Sequence, residues 1–218
     1  MPDRDQCRLC GDQHLSLYHQ DSTRPYLVCE TCQLVQVPPS WFLDASREKA
    51  EYDQHDNSVE DRGYRRFLQR SADQVLMHVT PPATGLDFGC GPAPALATIL
   101  AESGYEVALF DWFYHRDDCV WQSTYDFVTA TEVVEHLHDP KYWLDRLWSS
   151  LRPGGVLVIQ TKRVLSKHQF SEWHYIRDPT HVTFFSIATL YWLARCWGAT
   201  VRLAAPDVAV FHKKQNSA

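Results

Sequence analysis

The sequence predicts an α/β fold built on a mostly parallel sheet, and three observations carry that reading. Short apolar runs alternate with stretches of helical periodicity between residues 81 and 213. The first run, Leu86-Asp-Phe, passes into a glycine turn, Gly89-Cys-Gly91, and then into the helical stretch Ala95–Glu102. The second, Tyr105-Glu-Val-Ala-Leu-Phe110, ends on Asp111, twenty residues beyond Gly91. Parallel strands need helical crossovers, and such folds bind ligands at the strands' C-terminal ends.

Composition sets the outer limits. The chain has 218 residues, 44% hydrophobic and 22% charged, enough for one α/β domain with a real core plus a small appendage. Its net charge of −6 disfavours a protein whose main task is gripping phosphate backbones. The first forty residues hold five acids against three arginines, so that end is not a basic arm. No apolar run reaches the ~20 residues that span a bilayer. The opening Met-Pro-Asp-Arg-Asp lacks an apolar segment, which predicts no secretion signal and a cytoplasmic location.

In a reducing compartment the cysteines favour metal over disulfides. Cys7-Arg-Leu-Cys10 and Cys29-Glu-Thr-Cys32 are two CxxC pairs eighteen residues apart. Each pair can grip one edge of a metal tetrahedron, and Gly11 follows the first where a knuckle turn needs positive φ. The expectation is a closed, structural zinc ribbon over residues 1–38, with Leu15–Tyr18 and Tyr26–Val28 as its hairpin. Two disulfides, an iron–sulfur cluster and a redox pair compete with it. Cys90, Cys119 and Cys196 have no partner motif and read as small buried residues.

Residues 39–80 read as a linker with lid and packing helices. A polar stretch, 48–57, precedes a helix around 61–79, whose Tyr64, Phe67, Leu68, Val75, Leu76 and Val79 make one apolar face. Further along, Asp126–Thr131 is strand-like. Asp139 and Pro140 fit the cap and first position of a helix lined by Trp143, Leu144, Leu147, Trp148 and Leu151. Leu151–Gly155 turns into the strand Val156–Ile159. Ser186 caps a helix at 187–197, and 199–203 with 208–212 make a terminal antiparallel pair. Val182 and Phe184 belong to the core.

The motifs LDFGCGPAP, YDFVTATEVVEHLHDP and LRPGGVLVIQT, with the Asp111 strand end between the first two, occur in this order over about residues 80–161. The chain therefore resembles the class I S-adenosylmethionine-dependent methyltransferases, in the group that includes the ubiquinone-biosynthesis type. The resemblance implies a Rossmann-like methyltransferase domain at 81–218 with a seven-strand-type sheet. It places Gly89 and Gly91 against the cofactor's methionine portion with Asp87 nearby, Asp111 on the ribose and Trp112 beside the adenine. Thr131 and Glu132 would border the sulfonium. The full GxGxxG is absent, because Pro94 stands at the third position, which disfavours a nicotinamide enzyme. One departure is plain: only thirteen residues, 112–124, separate Asp111 from the next motif, so the middle edge of the sheet should be shortened.

Residues 162–185 are not needed to build the sheet, and they follow a strand's C-terminal end. They carry His168, His174 and His181 with Asp178 and the aromatics Trp173 and Tyr175, a set suited to a pocket for a small acceptor. Methyl transfer is an in-line displacement that needs alignment first, and a base only if the nucleophile arrives protonated. The base candidates are His136, His181 and His174, with Asp178 as an orienter. Tyr52, His55, Asn57 and Tyr64 form a second polar-aromatic group, expected to fold over the cofactor as a lid. Three functions compete. The first is methyl transfer to a small molecule. The second is an RNA or protein methyltransferase using the ribbon for recognition, and the third a regulatory protein that binds the cofactor without turnover.

Overall fold

The computed structural model describes residues 6–54 and 58–215, so His55 and Asn57 lie outside the described residues. Its central sheet has six strands in the order β5-β4-β6-β7-β10-β9. These are β4 Thr84–Phe88, β5 Glu106–Phe110, β6 Tyr125–Thr131, β7 Leu151–Gln160, β9 Thr200–Leu203 and β10 Val208–His212. The first four named in the order run parallel, while β10 is antiparallel to both its neighbours. The shortened edge is real: 112–124 supplies a 3-10 turn, Asp118–Gln122, instead of a strand, and leaves β5 at the edge.

Alternation along the central strands explains the layers. Val156 and Val158 of β7, with Val208 and Val210 of β10, face Leu68, Ala72 and Val75 of α2 (Arg62–His78) and Leu96 and Leu100 of α3 (Ala95–Glu102). Leu157, Ile159, Ala209 and Phe211 face the other way, onto Leu144 and Leu147 of α4 (Pro140–Ser149) and Leu190 and Leu193 of α6 (Ile187–Cys196). Strands buried on both faces read as continuous apolar runs, and each fully buried Leu or Val contributes about 2 kcal/mol. The caps hold as expected: Asp139 accepts from the Tyr142 amide at 3.0 Å, and Ser186 and Thr189 form a capping box. Asp61 caps α2 in the same way.

Three local readings need correction. The polar stretch begins with a helix, α1 (Ala45–Tyr52), capped by Asp44, whose carboxylate accepts from the Ser46 and Arg47 amides. Its few apolar residues hid the periodicity. β7 starts at Leu151 rather than after the glycines, because Leu151 pairs with Tyr125 and Val156 with Phe127, so that 152–155 bulge out opposite Asp126. Cys90 is buried, but Cys119 and Cys196 are exposed, since Val120 and Leu193 take the inward positions on their turns.

The N-terminal unit forms a second sheet, β1-β2-β3-β8, from Leu15–Gln20, Pro25–Cys29, Val35–Gln36 and Thr183–Phe184. Its last strand comes from the far end of the chain, paired Val35 to Phe184. Tyr26, Phe170, Tyr175 and Phe184 pack in one apolar cluster across that seam. The segment that sequence reading assigned to the acceptor is thus also the mortar of the ribbon. No described helix is long and apolar enough to cross a membrane.

Candidate active site

The glycine turn is shaped by its neighbours. Gly89 and Gly91 have φ of +73° and +65°, a region that only glycine enters freely. The Gly89 amide donates to Phe110 O at 2.7 Å and the Gly91 amide to Asp111 Oδ2 at 3.0 Å. Asp111 Oδ1 accepts from the Phe113 and Tyr114 amides, so one carboxylate ties the turn to the end of β5. The first turn of α3 has no side-chain cap, which leaves its amides and the positive end of the helix facing the turn.

This turn is one wall of a cavity of about 890 Å³ at the C-terminal ends of the parallel strands. Of the expected residues, Gly89, Gly91, Asp111, Trp112, Thr131, Glu132, Tyr52, Tyr64, His136, His174, Tyr175, Asp178 and His181 line it. Asp87 does not. It is buried behind the turn, accepts from Thr129 Oγ1 at 2.8 Å, and burial pushes its carboxyl up to about 7. Trp173 lines a neighbouring cleft instead. Sequence reading missed Glu48, Phe113, His138 and Trp143 among the lining residues. The helical spacing of Trp143 marked it as core, and Glu48 belonged to the unrecognised α1.

Glu132 is strained and half-buried. Its φ is +51°, its amide donates to Gln160 O at 2.8 Å, and Oε1 has no hydrogen-bond partner among the described residues. Burial first, then the neighbouring Glu135, pushes its carboxyl up to about 8. A non-glycine residue held at positive φ with an orphaned oxygen is a feature that accumulates at functional sites.

The opposite end of the cavity is a histidine and carboxylate cluster. The His136 and His181 rings lie 4.6 Å apart, and Tyr52 meets His136 edge-on at 5.2 Å. His181 Nδ1 lies 2.7 Å from Tyr175 O; a carbonyl only accepts, so Nδ1 carries the proton and Nε2 the lone pair. Nε2 sits 3.6 Å from Asp178 Oδ2. Burial opposes ionisation of Asp178, but His181, Thr180 and His136 hold its carboxyl below the usual range. Glu135 is fully buried beneath the pair and accepts from Thr161 Oγ1 at 2.9 Å and from the Tyr175 hydroxyl. One ligand atom each from Glu135, His136 and His181 lies within 4.8 Å of the others. His174 stands apart, 3.1 Å from Lys162 Nζ.

A methyltransferase domain model matches residues 54–203, over two thirds of the chain. The chain belongs to this methyltransferase domain family. Over 104 residues it is 30% identical to a ubiquinone biosynthesis O-methyltransferase from Parvibaculum lavamentivorans, covering 47% of this chain but only 32% of that relative. Among solved structures it resembles the 1,6-didemethyltoxoflavin N1-methyltransferase of Burkholderia thailandensis, with TM-score 0.55 and 16% identity, over 90% of this chain and 98% of that one. That structure holds 1,6-didemethyltoxoflavin and S-adenosylhomocysteine. The magnesium protoporphyrin IX methyltransferase of Synechocystis, with S-adenosylmethionine bound, follows at TM-score 0.52 and 14% identity, over 80% and 94%. These likenesses establish the fold, and the family match makes residues 54–203 a methyltransferase domain.

The turn of this methyltransferase fits its cofactor by a steric criterion. A methyl group on Gly91 would meet nothing within 4 Å, whereas one on Gly89 would lie 2.3 Å from Val133 Cγ2. Gly91 thus fronts open cavity and Gly89 packs against protein. Gly91→Ala is therefore expected to fold, at the roughly 1–2 kcal/mol cost of positive φ, and to weaken S-adenosylhomocysteine at least tenfold in calorimetric titration. Gly89→Ala adds a clash of about 1–3 kcal/mol and is expected to lower the melting temperature much further. Equal effects on stability and affinity from the two variants would refute this division of roles.

The raised carboxyls give a signed pH dependence. A group whose folded-state pKa is raised contributes its full stability below its unfolded value, about 4.3 for Glu, and loses it as pH rises through the folded value. For Glu132 that loss accumulates from about pH 4.3 upward and is complete once pH passes about 8. In cofactor-free melts, Glu132→Gln is expected to match wild type near pH 4, to exceed it by a growing margin up to about pH 8, and to keep that margin above it. A chain of this size shifts about 2–4 °C per kcal/mol. A constant difference across that range would contradict the burial argument.

The four cysteine thiols also converge. Cys7 and Cys32 Sγ are 3.4 Å apart, as are Cys10 and Cys29, and all four lie within 4.8 Å of one another without disulfide bonds. Bonds of about 2.3 Å to zinc give tetrahedral edges of about 3.8 Å, so the four thiols fit that ion. Gly11 at +77° and Gln33 at +59° form the two knuckles. Two arginines that sequence reading passed over join this unit to the cavity wall. Arg8 donates to the carbonyls of Val37, His138 and Val182, and Arg24 to those of Ile176, Asp178 and Pro179.

Proposed function

We propose that this protein transfers the methyl group of S-adenosylmethionine to a hydroxyl of a small molecule, with His181 as the general base. The observation that carries the reading is the His181 geometry: a proton fixed on Nδ1 by Tyr175 O, a free lone pair on Nε2, and the Asp178 carboxylate 3.6 Å away to steady the imidazolium. Gly89 and Gly91 take the methionine portion and Asp111 the ribose. Trp112, half exposed beside the turn, takes the adenine, and Thr131 and Glu132 lie by the sulfonium. The bound cofactor supplies the electrophilic methyl carbon. Asp178 orients His181, His136 packs beside it, and His174 sits farther out on Lys162.

Several features favour a small acceptor. The cavity is walled by α1 and by residues of the 174–181 segment, and in the described part of the N-terminal unit both arginines, Arg8 and Arg24, are engaged with backbone carbonyls. The oxygen acceptor follows the name of the Parvibaculum relative. In this reading 1–38 is a zinc-stabilised ribbon, 39–80 a lid and packing segment, and 81–218 the catalytic domain. The ribbon's task is structural, because Arg8 and Arg24 hold the acceptor wall through its carbonyls.

A second reading rests on the same cluster. Glu135, His136 and His181 have the spacing to hold a divalent cation, which would acidify a coordinated acceptor hydroxyl. A panel of phenols, catechols and aliphatic alcohols with labelled S-adenosylmethionine tests the proposal, with and without added magnesium. Labelled ether products support it, and magnesium-dependent turnover selects the second reading. Methylation of amines or protein alone would overturn the oxygen assignment.

A further inference from the structure

A second cleft, of about 580 Å³, opens between α2, the segment after β7 and the β9–β10 turn. It adjoins the active-site cavity, and Lys162 lines both. Arg70, Lys162 and Arg163 face it against a single acid, Asp207. Arg70 Nη1 holds Asp207 Oδ2 at 2.7 Å, which leaves two positive charges in excess.

Arg163 is the unusual member. It is only 8% exposed, and among the described residues no carboxylate forms an ion pair with it, although Asp207 is near enough to favour its charge. Nε donates to Pro206 O at 2.6 Å and Nη2 to Ala205 O. Two neutral carbonyls fix the guanidinium without neutralising it. Nη1 has no partner among the described residues, nor does Asp207 Oδ1. A buried donor left unmade is costly, and a guanidinium anchored along one edge is pre-organised for an anion on the other. Apart from Gln169, the rest of the cleft is apolar: Leu165 is 70% exposed and Ile187 41%, beside Phe170 and Trp173.

We propose that this cleft is an anion subsite continuous with the acceptor chamber, taking a carboxylate or phosphate carried on an apolar stem of the acceptor. Arg163 Nη1 and Lys162 Nζ meet the anion, Asp207 Oδ1 accepts from a protonated phosphate oxygen, and Leu165, Trp173 and Ile187 cover the stem. The assignment rests on the methyltransferase reading, because the arm belongs to the molecule being methylated.

The test is calorimetric titration of the full chain, saturated with S-adenosylhomocysteine, with octyl phosphate and with neutral octyl glucoside. Octyl phosphate is expected to bind one to one, at least tenfold tighter than the glucoside. Arg163→Met should lose at least tenfold with S-adenosylhomocysteine affinity unchanged. Arg70→Met, on the exposed flank of α2, leaves Asp207 uncompensated and should lose at least fivefold; it keeps the test valid should the buried Arg163 prove necessary for folding. Equal binding of the two probes, or indifference to both substitutions, overturns the subsite. In turnover, competitive inhibition by octyl phosphate against the acceptor is expected, and a noncompetitive pattern overturns the acceptor arm. Failure of S-adenosylhomocysteine to bind wild type would instead strike the methyltransferase reading, and the two failures are thereby distinguished.

Discussion

His181→Ala is expected to lower turnover by about 10²–10⁴-fold, the usual contribution of a positioned base, while S-adenosylhomocysteine affinity stays unchanged. The histidine packs on His136 and Tyr175, and no contact joins it to the glycine turn among the described residues. His181→Gln keeps a polar group of similar reach but no basic nitrogen, and should be as inactive as alanine. Asp178→Asn, which keeps the shape of the side chain but removes its charge 3.6 Å from Nε2, should cost less. Full activity in His181→Gln would remove the base and leave alignment alone as the catalytic device. Loss of cofactor affinity in the same variants would show a structural role instead.

The second large effect concerns the ribbon. Cys32→Ser is expected to abolish turnover although no cysteine of the ribbon lines the cavity. Cys32 is fully buried beside Cys7, and with zinc on the four thiolates, as proposed, loss of one would remove the folding free energy the metal supplies. β3 then loses its footing, and with it β8 and the carbonyls that Arg8 and Arg24 hold. Hydrogen exchange should rise across 173–184, while the central sheet stays protected and S-adenosylhomocysteine still binds. Metal analysis should find one zinc per wild-type chain. Unchanged protection of 173–184 in a zinc-free chain would disprove the coupling.

The central domain was legible because its signals are local. A glycine pair before a helix, an acid at a strand end and apolar alternation each act within a few residues. Most of the cavity wall around the glycine turn followed from them. What was hidden depends on distant pairing. Val35 and Phe184 are neighbours only through the fold, so nothing near Phe184 announced a strand of the N-terminal sheet. Arg8 and Arg24 recognise backbone carbonyls, which leave no side-chain pattern to read. Asp87 shared its motif with the glycines, yet strand alternation turned it into the core. The His136–His181 pairing joins two motifs 45 residues apart, and spacing alone could not bring them together.

The most direct test is calorimetric titration of the purified chain with S-adenosylhomocysteine, with NADH titrated in parallel. The account predicts micromolar, one-to-one binding of S-adenosylhomocysteine and no heat from NADH. Binding of NADH alone, or of neither, would contradict it.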